Sequence, residues 1–171
     1  MNKAVLCLTW AIFVSLTEAV AAQTTQNSPT LPIDQTQNTA DRQKSIVIHQ
    51  EADYPAPPER LYEALLDSEQ FTAFSGRPAK IDRTVGGAFS LFAGHIIGRN
   101  LEFVPNRRIV QAWRVVTWPE GAYSIVRFDL QPKGSGSHLS LDHIGFPEGL
   151  HDHLAEGWES NYWSLLKKYF R

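Results

Sequence analysis

The chain has 171 residues, 43% hydrophobic and 20% charged, which is the size and make-up of one globular domain rather than of a fibrous or wholly disordered protein. A formal net charge of −2 supplies no basic field for nucleic acid and no acidic tail. The single cysteine, Cys7, excludes a disulfide framework and a cysteine metal site.

Residues 1–22 read as a secretory signal peptide. Lys3 and the amino terminus form a positive start, residues 4–16 are an apolar run, and Ala19, Ala21 and Ala22 are the small residues a signal peptidase needs. The run is shorter than the ~20 residues that cross a bilayer core, so cleavage near Ala21 or Ala22 and no stable membrane anchor are expected. The mature protein would then be periplasmic or secreted, and free of cysteine. Residues 23–44 are rich in Gln, Thr, Asn and Pro with only Leu31 and Ile33 as large aliphatics. They cannot bury enough apolar surface to offset ordering and read as a disordered linker.

The folded domain is expected over residues 45–171. Residues 45–52 alternate apolar and polar, as a half-buried strand does. After the prolines at 55, 57 and 58, residues 59–66 place Leu61, Tyr62, Leu65 and Leu66 on one helical face. Asp67 caps a second short helix carrying Phe71 and Phe74, ended by Gly76 and Pro78. Strands are then predicted at 80–84, 88–93, 96–103, 108–118, 123–131 and 138–144, separated by turns such as Gly86-Gly87, Pro105-Asn106 and the 133–136 loop. That spacing indicates an antiparallel meander.

Residues 150–170 form one long helix with Leu154, Trp158, Asn161, Tyr162, Leu165 and Tyr169 on a common face, widened by Trp163, Leu166 and Phe170. An apolar sector that broad suits a helix wrapped by a curved sheet. The fold class is therefore α+β, a helix-grip with two short helices after the first strand. The space between sheet and helix is where such a fold leaves a cavity.

Several stretches carry a family resemblance: GGAF at 86–89, residues 98–105, VQAWR at 110–114, WPEG at 118–121, LSLDHIGFP at 139–147, and Gly157-Trp158. On these, residues 45–170 resemble the SRPBCC (START-like) superfamily. Within it they resemble the C-terminal domain of the activator of the 90-kDa heat-shock protein ATPase and its bacterial stand-alone relatives. The resemblance implies a helix-grip fold and a role as ligand carrier or cochaperone, since fold alone does not choose among the superfamily's activities. The eukaryotic activator is a cytosolic two-domain cochaperone, whereas this sequence shows only the C-terminal-type domain behind an export signal.

No phosphate loop, nucleophile elbow or paired carboxylates appear, so no catalytic residue and no cofactor is assigned. His143 lies on the inward parity of its strand, as an anchor in the pocket, a general base or a satisfied structural histidine. His151, Asp152 and His153 are spaced poorly for chelation, so no metal is assigned. Arg127 and Arg114 are expected to face solvent, opposite to their inward neighbours. The candidate ligand-binding residues are Phe89, Leu91, Trp113, Val115, Val126, Phe128, Leu139, Leu141, His143, Trp158, Tyr162 and Leu165. The expected partner is a small apolar, lipid-like molecule or, alternatively, a protein client. A cavity-based enzyme using His143 ranks last.

Overall fold

The computed structural model describes residues 46–171; the predicted signal and linker lie outside the described residues. The elements run β1 (Val47–Tyr54), α1 (Pro58–Leu66), α2 (Ser68–Ser75), β2 (Lys80–Ile81), β3 (Ala88–Leu91), β4 (Ile96–Val104), β5 (Arg108–Val115), β6 (Ser124–Lys133), β7 (Gly136–Ile144), then α3 (His151–Trp158), a π turn (Glu159–Trp163) and α4 (Ser164–Tyr169). The seven strands form one antiparallel sheet in the order β1-β7-β6-β5-β4-β3-β2. The strands from β2 to β7 follow one another as the predicted meander. β1 closes on the last strand, with Val47 opposite Ile144 and Tyr54 opposite Ser137.

Local chemistry explains the boundaries. Pro58 opens α1, where its missing N–H is not needed. Asp67 ends α1 and starts α2: its N–H bonds to the Glu63 carbonyl, and its carboxylate accepts from the N–H groups of Glu69 and Gln70 at 3.1 and 2.9 Å. Gly76 terminates α2 at φ 68°, a left-handed conformation that suits glycine. β3 stops at Leu91 rather than at the expected residue 93, because Phe92 and Ala93 turn the chain with φ of 53° and 58°. β5 stops at Val115 rather than 118, because the Trp118 N–H folds back to the Val115 carbonyl at 2.9 Å.

Alternation along the sheet sets one inner face. Ile109, Gln111, Trp113 and Val115 of β5 are buried, as are Val126, Phe128 and Leu130 of β6 and Leu139, Leu141 and His143 of β7. Arg127 is exposed, as its parity predicts, and the half-buried Arg114 donates to the Trp118 carbonyl at 2.9 Å.

The C-terminal helix departs from simple periodicity. The Ser164 N–H bonds to the Glu159 carbonyl, five residues back, so one π turn interrupts the α-helix. An extra residue in a helix rotates all that follows by about 100°. Hence Trp163 and Leu166 are fully buried, while Leu165, which a continuous α-helix would place inward, is only partly buried. Tyr162 and Trp163, adjacent in sequence, both reach the core.

Candidate functional site

Three tryptophans organise the space between sheet and helix. The Trp113 ring of β5 stacks on Trp158 of α3 at 5.0 Å and 20°, and Trp158 stacks on Trp163 of the π turn at 5.7 Å and 18°. A buried indole N–H needs an acceptor. Trp163 finds one in the Gln50 side-chain carbonyl of β1 at 2.6 Å, and the same Gln50 amide donates to the Ala155 carbonyl at 3.1 Å. The edge strand thus grips the helix at two points eight residues apart. Trp158 donates to Nδ1 of His143 at 3.1 Å. Trp113, 3% exposed, has no acceptor for its Nε1 among the described residues.

The contacts of His143 fix its state. Because Trp158 must donate, Nδ1 carries the lone pair and Nε2 the proton. Nε2–H donates to Ser124 Oγ at 2.7 Å, and the Ser124 hydroxyl donates to the Trp113 carbonyl at 3.2 Å. Burial without a counter-charge pushes the imidazole pKa down to about 3, so it stays neutral. Both ring nitrogens serve the protein, and neither has a lone pair or proton to offer a substrate. Burial likewise raises the Tyr162 hydroxyl well above the usual phenol range.

Beside this stack lies a cavity of about 520 Å³. Its floor is Phe92, Ile96, Trp113, Val115, Trp158 and Tyr162. The Phe92 ring packs edge-on to Tyr162 at 5.4 Å and to Phe71 at 5.3 Å, which holds that wall in place. The loops provide the rest: Arg77 after α2, His95 in the β3–β4 turn, Thr117 to Pro119 after β5, and Pro147, Glu148 and Leu150 before α3. Leu154, Gly157 and Asn161 extend the wall along the helix, with His153 beside them. At Gly157, a Cβ would meet nothing within 4 Å.

Of the residues singled out from sequence, Trp113, Val115, Trp158 and Tyr162 stand on the cavity wall. Phe89, Leu91, Val126, Phe128, Leu139, Leu141 and His143 are buried in the core that supports it, and Leu165 packs on the core's edge. Inward parity puts a side chain between sheet and helix, but not at the end of the layer that remains open. The loop residues of the wall, Arg77 and His95 above all, carry no periodic pattern. Gly157 was legible only as part of a family-like Gly-Trp pair. Among the described residues no cluster of three or more His, Cys, Asp or Glu is placed to hold a metal. His151 bonds its neighbour Asp152 at 2.9 Å instead.

Comparison with known proteins places this geometry in context. The family model described as "Activator of Hsp90 ATPase homolog 1-like protein" matches residues 55–171. The human activator of 90 kDa heat shock protein ATPase homolog 1 is 29% identical over 113 residues, which are 66% of this chain and 33% of that protein. An uncharacterized protein of Schizosaccharomyces pombe is 32% identical over 133 residues, 78% of this chain and 38% of its own length. The chain therefore spans about a third of the length of these curated relatives. Among solved structures, an HSP90 activator from Plasmodium falciparum superposes with a TM-score of 0.69 at 30% identity, over 72% of this chain and 95% of that one. A protein from Chromobacterium violaceum gives 0.62 at 29%, over 72% and 96%.

Proposed function

The chain belongs to the activator of Hsp90 ATPase homolog 1-like family, and from that premise we propose that it is an exported, non-enzymatic member that holds a small, largely apolar ligand in the cavity between sheet and helix. The observation that carries this reading is the cavity of about 520 Å³ itself, floored by Phe92, Ile96, Trp113, Val115, Trp158 and Tyr162. The Trp113 ring stands on its wall and offers a face for stacking, while its Nε1 is closed off within the core and has no acceptor among the described residues.

Gly157 supports the same reading. A glycine inside a helix costs about 1 kcal/mol relative to alanine. No neighbour requires it, since a Cβ there meets open space. Its effect is to leave the cavity wide. An apolar ligand burying about 300 Å² would gain about 7 kcal/mol gross, equivalent to a Kd of about 10 μM before association costs, which weaken it towards the millimolar range unless polar contacts add to it. The non-enzymatic reading is supported by the engaged nitrogens of His143 and by relatives named as activators. Export rests on the sequence of residues 1–22.

The test is native mass spectrometry of the protein recovered from an exporting host, beside a Gly157→Leu variant. Leucine fits the helix and projects into the cavity, so the variant should fold and keep its far-ultraviolet spectrum. The expected result is a reproducible extra mass on the natural protein that is absent from the variant. A clean, unliganded mass in both would remove the ligand reading. It would favour the second one, a cochaperone-like module acting on a protein client, for which family membership is the supporting observation. That reading predicts co-purification of a stoichiometric protein partner.

A further inference from the structure

Resting on the ligand-binding reading above, we infer that the ligand class is an anionic amphiphile, with its apolar body on the aromatic floor and its acid group held at the mouth by Arg77. Among the described residues, the fixed charges on the wall are Arg77 and Glu148, joined by the side chains of His95 and His153. One cation and one carboxylate leave no strong net field, so the choice of ligand falls to direct contact.

Arg77 is suited to that contact. Arg83 and Arg108 pair with Glu63 and Asp129 at 2.7 and 2.8 Å, whereas Arg77 makes no ion pair with another described residue. Its planar fork can grip a carboxylate, sulfonate or phosphate with two parallel hydrogen bonds.

The backbone holds Arg77 at the rim. The Ala93 N–H donates to the Pro78 carbonyl at 2.8 Å, stapling the loop after α2 to the β3–β4 turn. That turn carries His95, whose carbonyl accepts from Val116 N–H at 3.0 Å. Three loops are therefore locked together around one mouth, and Arg77 and His95 stand on two of them. Below them the floor is aromatic and aliphatic. A molecule matching this gradient has an acid at one end and a ring system or chain at the other.

A matched pair of fluorescent probes tests the idea on the full chain: 8-anilinonaphthalene-1-sulfonate and N-phenyl-1-naphthylamine, which share a ring system and differ by the sulfonate. The sulfonate is expected to bind at least tenfold tighter, about 1.4 kcal/mol. Arg77→Gln should erase that advantage and leave the neutral probe unchanged, and Gly157→Leu should abolish binding of both. Equal affinities, or an advantage that survives Arg77→Gln, would overturn the anionic assignment and leave the apolar cavity standing. Failure of both probes to bind, or binding that Gly157→Leu does not affect, would remove the ligand reading and this one with it.

Discussion

His143 shows how a residue of catalytic type is committed to structure. It receives from Trp158, donates to Ser124 and, through that hydroxyl, is linked to the backbone of Trp113. The relay works only for the neutral ring. In the unfolded chain the imidazole titrates near 6.5, and in the fold its pKa lies at about 3. Below pH 6.5 the unfolded state therefore binds the extra proton, and stability is lost as pH falls towards 3. It is fully present above 6.5. The loss is about 1.4 kcal/mol per pH unit in that window. His143→Gln keeps an acceptor for Trp158 and a donor for Ser124 but cannot titrate. Urea midpoints at pH 7.5, 5.5 and 4.5 should show natural protein and variant converging as pH falls. Parallel curves would mean that His143 titrates in the fold as it does in the unfolded chain.

The strands and short helices were legible in the sequence because their punctuation is chemical. Asp67 and Gly76 bracket α2, and the alternation of Ile109 to Val115 fixes which face of β5 is buried. The exact phase of the last helix was not legible beyond Tyr162. Ideal periodicity cannot register the residue inserted at Glu159–Trp163, so Leu165, expected at the centre of the inward face, lies at its edge, while Trp163 and Leu166, expected at the margins of that face, are fully buried. The distinction between cavity wall and packed core was hidden for a related reason. Leu141 and Trp113 share an inward parity, and only the loops covering one end of the layer decide which of them faces open space. The π turn makes a direct prediction. Deleting Ser160, an exposed residue of that turn, should restore a continuous α-helix with Trp158, Trp163 and Leu166 still inward. Tyr162 would then rotate out of its contacts with Phe71 and Phe92. A loss of about 3–5 kcal/mol in urea unfolding, comparable to truncating a buried aromatic, is expected with helix content unchanged. A stability equal to that of the natural chain would mean that Tyr162 contributes nothing to the packing.

The whole molecule joins a domain of the Hsp90-activator type to an N-terminal stretch with the composition of an export signal. The proposed location is testable without knowing any ligand. In an exporting bacterial host the recovered protein should begin after Ala21 or Ala22, and replacing residues 1–22 by a lone methionine should leave it in the cytosol. An intact Met1 on protein outside the cytosol would argue for an uncleaved anchor.

Placing β1 against β7 has a kinetic consequence. The first strand finds its partner some ninety residues later, and Trp158 and Trp163, which close the core, come later still. While the last quarter of the chain is unmade, β1 has no neighbour and the inner face of the meander has no cover. Contacts of such long sequence separation form late and slowly. A ribosome-bound chain lacking residues 136–171 should therefore stay open and protease-sensitive, the state that the proposed export through a narrow translocation channel would require.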